Sequence, residues 1–330
     1  MKYARFPALG RDVSRLGFGA MGFAGGFGES PDEEWIGALH TALRSGVNFI
    51  DTARAYGRSE EVVGRALADW DGEAPVVATK IEQVAGHNRP WATPIDADLC
   101  FPVGHIRRSA EASLAALGLD SVDLMQLHVW WPTWDLDGPW MRELQALKDE
   151  GLTAAVGVSI PDHRSDMAVG LVPTGLIDSV QTVINVFDPL ALENLVPICA
   201  EHDVAVIGRC TLDEGGLTGF LTPELAFDAD DYRSQYFDDI IPRSVYMAKV
   251  AALEQFVPRS AGSLAALAIK FVLHHPEVTT ALVSMHERAY AEMNIAAVGE
   301  PAILDDDFES LFTSHRFIKN LNHAKHWDLP

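Results

Sequence analysis

The sequence predicts an α/β protein in which eight parallel strands, each followed by helical sequence, close into a (β/α)8 TIM barrel. Short apolar runs alternate with longer amphipathic stretches, eight such runs occur, and turn residues bound each of them. A length of 330 residues is ordinary for a single barrel. We therefore expect one domain spanning residues 1–330.

The predicted strands are rich in β-branched or large apolar residues, as buried parallel strands are. They cover residues 15–18, 47–52, 76–80, 122–128, 154–159, 179–184, 204–209 and 280–284.

Several of the intervening helices have recognisable start signals. Ser30 is expected to cap a helix with Pro31 at its first position, and Ser59 with the acids after it is expected to open the next. Residues 104–117 and 141–148 keep apolar side chains on one face, as amphipathic helices do.

Two long segments, 82–103 and 211–242, follow predicted strands and should lie on the carboxyl-end face of the barrel. Loops of this length inside a compact domain are usually functional, and active sites of barrel enzymes are built on that face. Residues 3–13 are expected to form a hairpin over the opposite end.

Composition limits the partners. Acidic residues number 47 against 25 basic ones, a net charge of −22, which disfavours binding to nucleic acid or to anionic membranes. The three cysteines are too few and too scattered for a disulfide framework or a metal motif. Neither a signal peptide nor a membrane span is evident, so a cytoplasmic location is expected.

Residues 17–22 match the dinucleotide fingerprint GxGxxG, which would instead indicate a doubly wound fold with Asp51 at the ribose. In that fold the glycines stand at the start of the first helix. Here helix signals begin only at Ser30, so a flexible glycine-rich loop is the better interpretation.

Four polar residues lie at or just after the carboxyl ends of three successive predicted strands: Asp51, Tyr56, Lys80 and His128. Each alone has a structural explanation, as a cap, a packed ring, an extended lysine or a core histidine. Jointly they are hard to explain as packing, because they share one face of the barrel.

Their chemistry suits carbonyl reduction, which needs a proton donor at the oxygen while hydride arrives at the carbon. A phenol has an ordinary pKa of ~10, which a nearby ammonium lowers, and a carboxylate keeps that ammonium charged. Tyr56, Lys80 and Asp51 can supply this relay, and His128 can orient the substrate oxygen.

The chain closely resembles the aldo-keto reductases over nearly its whole length. The matching segments are GVNFIDTARAYG at 46–57, ATK at 78–80, LAALGLDSVDLMQLH at 114–128, GVS at 157–159, Gln181 with Asn185, GGLTG at 215–219, and Asn294.

The resemblance implies Tyr56 as acid or base, Asp51 and Lys80 as its tuning pair, and His128 as the residue that orients the substrate. It also implies contacts to a nicotinamide nucleotide. These are Ser159 and Gln181 at the carboxamide, Arg209 where an aromatic ring often stacks on the nicotinamide, Leu212, Gly216 and Leu217 at the pyrophosphate, and Ser284, Met285, His286 and Asn294 at the adenosine phosphate.

Family members that prefer NADP usually carry cations near the adenosine phosphate. This chain offers His286 and Arg288 but places Glu287 between them, and a carboxylate repels a 2′-phosphate. We expect weak discrimination between NADP and NAD.

Two alternatives stay open. One is a barrel that binds the nucleotide as a sensor or regulatory subunit without catalysis. The other is a metal-dependent hydrolase using His87, His105 and His128, although no HxH or HExxH spacing supports it. Sugars, ketones and aldehydes are all open as small-molecule substrates, with Trp130 and Trp131 as candidate pocket walls.

Overall fold

The computed structural model describes residues 1–28, 30–84, 95–228, 231, 233, 234, 236, 237 and 242–317, and within them eight parallel strands close into a barrel. The strands are β3 Leu16–Gly19, β4 Phe49–Asp51, β5 Val76–Glu82, β6 Val122–His128, β7 Thr153–Ser159, β8 Ser179–Val183, β9 Ala205–Arg209 and β10 Thr280–Ser284. Their order around the barrel is β10-β3-β4-β5-β6-β7-β8-β9. The predicted fold class is confirmed, and no predicted strand end is more than two residues from the observed one.

Helices pack around the barrel and connect its strands. They are α1 Asp32–Arg44, α2 Ser59–Ala68, α3 Ala97–Cys100, α4 His105–Leu117, α5 Pro139–Asp149, α6 Leu190–Glu201, α7 Arg243–Ala251, α8 Val257–Ser260, α9 Leu264–His274, α10 Arg288–Gly299 and α11 Asp305–Ser314.

The predicted cap at Ser30 was wrong, whereas α2 begins at Ser59 as expected. Pro31 is itself the N-cap of α1, because its extended backbone lets its carbonyl accept the first helical bonds, from Glu34 and Trp35. Ser59 is the first residue of α2, and its hydroxyl is bonded to Thr52 and to the carbonyl of Ala20.

The amino-terminal segment forms the expected hairpin, with β1 Tyr3–Phe6 antiparallel to β2 Arg11–Ser14. Its turn uses Gly10 at φ +57°, a left-handed conformation that glycine adopts without strain. Phe6 and Val13 are buried in one cluster with Phe49 and Val76, which lie at the starts of barrel strands. The hairpin therefore covers the amino-terminal end and leaves the carboxyl end as the mouth.

Strand register brings the predicted site residues to neighbouring levels. Lys80 pairs with Gln126, while His128 pairs with Ser159 and Ser159 with Gln181. Side chains alternate between the two faces of a strand, so two residues that are two positions apart lie on the same side of the barrel wall.

The doubly wound alternative was wrong. Gly17 lies inside β3, where an added Cβ would come within 2.8 Å of the Leu282 side chain. Gly22 belongs to the 3-10 helix Ala20–Ala24 and packs against His286, and α1 begins only at Asp32. These glycines allow close packing of the barrel wall and do not open a nucleotide-binding helix.

Within the described ranges, no single helix has the length and apolar character needed to cross a membrane. A pair bent by 77°, Arg243–Ser260 with Leu264–His274, meets the length and composition test together.

Candidate active site

Asp51 and Lys80 form a buried ion pair at the carboxyl ends of β4 and β5. Lys80 Nζ lies 2.5 Å from Asp51 Oδ1 and also donates to the carbonyl of Thr52 at 2.9 Å. Lys80 is fully buried and Asp51 is 3% exposed. An unpaired lysine in such a place would lose its charge, so the carboxylate is needed to retain it.

The pKa of Lys80 reflects this balance. Burial acts to lower it, but attraction to Asp51 and to Tyr56 outweighs burial, so the pKa is raised from its ordinary 10.5. Lys80 is therefore an ammonium at neutral pH. The stability that the charged Lys80 contributes is present at neutral pH and is lost only as the pH rises above the ordinary lysine pKa.

Tyr56 and His128 lie beside this pair. Lys80 Nζ is 5.0 Å from the centroid of the Tyr56 ring, and the Tyr56 and His128 rings meet edge-on with centroids 5.9 Å apart. The structure thus brings together the four residues predicted for the reacting centre.

The pKa of Tyr56 differs from the sequence expectation. Protein around the phenol raises the pKa, and although Lys80 lowers it as expected, the net result is a pKa above 10.0. The Tyr56 phenol is therefore protonated at neutral pH.

Gln181 was predicted at the nicotinamide carboxamide, but its side chain is turned into the barrel. Its Nε2 donates to Asp51 Oδ2 at 2.9 Å. Gln126 was missed by the sequence reasoning and donates to the same oxygen at 3.3 Å. The available signal was its place two residues before His128, on the same side of β6.

Ser159 ends β7, and its buried hydroxyl has no hydrogen-bond partner among the described residues. An orphaned buried hydroxyl is costly unless a ligand completes it. It therefore fits a residue that binds the polar end of a nicotinamide.

Arg209 is the last residue of β9. Its guanidinium pairs with Asp162 at 2.5 Å and donates to the carbonyl of Ile160 at 2.9 Å. Burial lowers its pKa, but Asp162 outweighs burial and raises it. Arg209 is thus a permanent cation near the Tyr56 phenol, in the wall of the site.

Two further contacts join the loops after β7, β8 and β9, and the sequence reasoning missed both. His163 Nδ1 lies 2.6 Å from Asp188 Oδ2, and Asn185 Nδ2 donates to the carbonyl of Cys210 at 3.0 Å. With the Asp162–Arg209 pair they connect the three loops to one another. Their partners lie in different loops, so no sequence spacing indicates them.

The loop after β9 contains Leu212, Gly216 and Leu217, predicted at the pyrophosphate. Leu217 donates its N–H to the carbonyl of Leu212, and Gly215 has φ +88°. Gly216 has a packing reason of its own, since an added Cβ would lie 2.0 Å from the Tyr246 hydroxyl.

At the end of β10, Ser284, His286 and Asn294 form a connected group. Ser284 Oγ is 3.0 Å from His286 Nδ1, and Asn294 Nδ2 donates to the Ser284 carbonyl at 3.5 Å. Met285 is fully buried. Burial, reinforced by Arg233, lowers the pKa of His286 to about 4, so this histidine is neutral at pH 7.

Arg233 reaches this group from the long loop and was also missed. Its guanidinium lies 5.0 Å from the Phe27 ring, which in turn stacks on His286 with centroids 5.6 Å apart. Asp231 holds the guanidinium with contacts of 2.6 to 3.0 Å. A lone arginine in a long loop carries no sequence signal for this position.

Trp130 and Trp131, the candidate pocket walls, are both nearly buried, and neither indole N–H has a hydrogen-bond partner among the described residues. The Trp130 backbone N–H donates to the Ser159 carbonyl at 3.0 Å. This bond ties the start of the loop after β6 to the end of β7.

Glu60 anchors the loop that carries Tyr56. Its buried carboxylate accepts from Arg54 and from Thr79 Oγ1, both at 2.6 Å.

We expect Glu60→Ala to lower the free energy of unfolding by about 2 to 3 kcal/mol, because both donors lose their acceptor. Urea unfolding measures this. Glu61→Ala, on the exposed side of α2, should change it by less than ~0.5 kcal/mol; equal effects would show that the Glu60 contacts are unimportant.

The described residues do not support a metal centre. No group of three or more His, Cys, Asp or Glu side chains among them could hold a metal ion, and His87 lies outside the described residues. The site residues fit a nicotinamide nucleotide better than a metal ion. The unpartnered Ser159 hydroxyl, the glycine turn at 215–219 and the Ser284–His286 contact all border the carboxyl-end mouth of the barrel.

Comparison with known proteins places these features in context. A model described as "Aldo/keto reductase family" matches residues 15–313. The aldo-keto reductase YhdN of Bacillus subtilis is 29% identical, covering 86% of this chain and 84% of its own length. L-galactose dehydrogenase of Arabidopsis thaliana is 28% identical, covering 92% and 89%. The structure of a glycerol dehydrogenase from Gluconobacter oxydans superposes with a TM-score of 0.74 at 27% identity, covering 99% of this chain and 97% of that one.

Proposed function

The chain belongs to the aldo/keto reductase family, and from that premise we propose that it is an NAD(P)-dependent oxidoreductase with Tyr56 as its general acid and base. It interconverts a small aldehyde, ketone or sugar with the matching alcohol. The observation that carries the proposal is the meeting of Tyr56, Lys80, Asp51 and His128 at the barrel mouth.

The nicotinamide, when bound, supplies hydride to the carbonyl carbon or accepts it from the alcohol. In reduction the Tyr56 hydroxyl donates its proton to the carbonyl oxygen, and the phenolate left behind is stabilised by the Lys80 ammonium. In oxidation the phenolate accepts the alcohol proton. His128 orients the substrate oxygen by hydrogen bonding.

The cofactor is held by residues from four strand ends. We propose Ser159 at the carboxamide, with Gln181 close by, the loop of Leu212, Gly216 and Leu217 at the pyrophosphate, and Ser284, the Met285 backbone, His286 and Asn294 at the adenosine end. Arg209 lies in the wall of the cofactor site and, in this proposal, does not stack on the nicotinamide ring.

The direct test is a substrate panel followed at the nicotinamide absorbance, in both directions and with both nucleotides. L-galactose, glycerol and the oxidation products of both are the first compounds to assay, since similar proteins are named as dehydrogenases of L-galactose and of glycerol. Turnover with any of them supports the proposal. Tight nucleotide binding without turnover on any carbonyl or alcohol would favour a sensor instead.

We expect weak discrimination between the two nucleotides, within ~100-fold in kcat/KM. The contacts at the adenosine end agree with this expectation. His286 is neutral at pH 7, and Arg288 is turned toward α1, where it contacts Glu34. Neither side chain is placed to favour a 2′-phosphate strongly.

Steady-state kinetics of two variants tests this interpretation. Glu287→Gln removes the opposing charge and should raise the preference for NADP about tenfold, which equals about 1.4 kcal/mol. His286→Ala removes an uncharged ring and should change the preference by less than ~3-fold, which equals about 0.65 kcal/mol. A wild-type preference for NADP above ~1000-fold would show that Glu287 lies outside the phosphate site.

We also propose that residues 1–330 form one domain and that the protein works in the cytoplasm. The three unbridged cysteines, Cys100, Cys199 and Cys210, support a reducing compartment.

A further inference from the structure

The interior of the barrel contains two fully enclosed amides that are directed at Asp51. Gln126 is 0% exposed and Gln181 is 1% exposed, where branched apolar side chains normally fill a barrel. A buried amide is costly unless its hydrogen bonds are satisfied. Both amides find their partner in the same carboxylate oxygen, Asp51 Oδ2.

The contacts on the two oxygens of Asp51 are divided. Oδ1 accepts from Lys80 Nζ at 2.5 Å, whereas Oδ2 accepts from Gln181 at 2.9 Å and from Gln126 at 3.3 Å. Gln181 Nε2 is also 3.4 Å from Gln126 Oε1, so the amides support each other. This arrangement holds the carboxylate with one oxygen toward Lys80.

The topology explains why these two strands supply the amides. In a barrel of this kind, side chains of alternate strands meet in one interior layer. Asp51, Gln126 and Gln181 come from β4, β6 and β8, which alternate around the barrel. Gln126 is also the register partner of Lys80 on the adjacent strand.

We propose that Gln126 is a positioning residue for the Asp51–Lys80 pair, holding Asp51 so that Lys80 keeps its proton next to Tyr56. The inference rests on the proposed function, in which Tyr56 exchanges a proton with the substrate. Gln126 touches neither Tyr56 nor the substrate oxygen in this scheme and acts only through Asp51.

The charge balance gives the direction of the effect. Without the amide, the Asp51 charge is less well stabilised and less screened. A proton can then pass more easily from Lys80 to Asp51, which removes the cation beside the phenol. Where Asp51 stays ionised, its carboxylate charge acts more strongly on the phenol. Both changes make the phenolate less favourable, so the pKa of Tyr56 rises.

The experiment compares Gln126→Met with the wild-type enzyme, because methionine has a similar length but cannot donate to Asp51. We expect kcat to fall about tenfold, the scale of one lost hydrogen bond to a charged group. The limb of the kcat–pH profile that reports Tyr56 should move upward by about one unit in both reaction directions. KM for the nucleotide should stay within about twofold, which equals about 0.4 kcal/mol.

The substitution leaves unchanged the titratable groups that face the phenol, so a moved limb reports the lost amide. These groups are Asp51 and Lys80 from β4 and β5, His128 from β6, and Arg209 and Cys210 at the end of β9.

Three further variants make the outcome decisive. Leu127→Met changes the neighbouring residue, which is buried on the other face of β6, and should leave the pH profile unchanged. If Gln126→Met does not fold, Gln126→Asn withdraws the amide by one methylene group and should shift the same limb. An unmoved limb in a folded Gln126 variant overturns the inference, whereas full activity of Tyr56→Phe would overturn the proposed function instead.

Discussion

Replacing Tyr56 by phenylalanine is expected to lower kcat by about 10²- to 10⁴-fold, the range found for loss of a general acid. The ring, its edge-on contact with His128 and its position beside Lys80 are retained, and only the hydroxyl is removed. Nucleotide affinity should therefore stay within about twofold, equal to about 0.4 kcal/mol. Steady-state kinetics on the best substrate, with fluorescence titration of the nucleotide, measures both quantities.

Tyr3→Phe is the matched control. The Tyr3 hydroxyl lies in the hairpin at the opposite end of the barrel and donates to the Gly46 carbonyl at 3.0 Å. Its removal deletes the same atom far from the mouth and should leave kcat unchanged. Near-native turnover by Tyr56→Phe would mean that another group transfers the proton, and His128 would be the next candidate.

The barrel could be predicted because each strand is a local signal. Val122–His128, for example, is a short apolar run bounded by turn residues, and its predicted and observed bounds agree. The grouping of Asp51, Lys80 and His128 followed from the same pattern, since the carboxyl ends of parallel strands meet on one face. Once the strands were recognised, the sequence was enough to predict that these three residues lie on the same face of the barrel.

The sequence could not predict which side chains contact one another across the barrel. Gln181 lies on the strand expected, yet its amide is directed at Asp51, 130 positions away in sequence. Arg209 forms an ion pair with Asp162 from another loop, and no spacing rule anticipates that contact. The pKa of Tyr56 is a similar case, because the opposing effects of burial and of Lys80 can be weighed only in three dimensions.

Lys80→Met is expected to have the largest combined effect, on activity and on stability. Without the ammonium, the phenolate of Tyr56 loses its stabilising charge, so turnover should fall by at least ~10²-fold and the remaining activity should require a higher pH. The Asp51 carboxylate would also be left buried without its charged partner. We expect the free energy of unfolding at pH 7 to fall by about 3 to 5 kcal/mol for that reason.

The double variant Asp51→Asn with Lys80→Met separates the two effects. It removes both charges, so the penalty of an uncompensated buried charge disappears and most of the lost stability should return. Activity should not return, because the phenol still lacks its ammonium. Urea unfolding and kcat–pH profiles of the three proteins test this directly. A double variant that regained turnover, or a Lys80→Met enzyme with an unchanged pH optimum and appreciable activity, would show that the Asp51–Lys80 pair does not tune Tyr56.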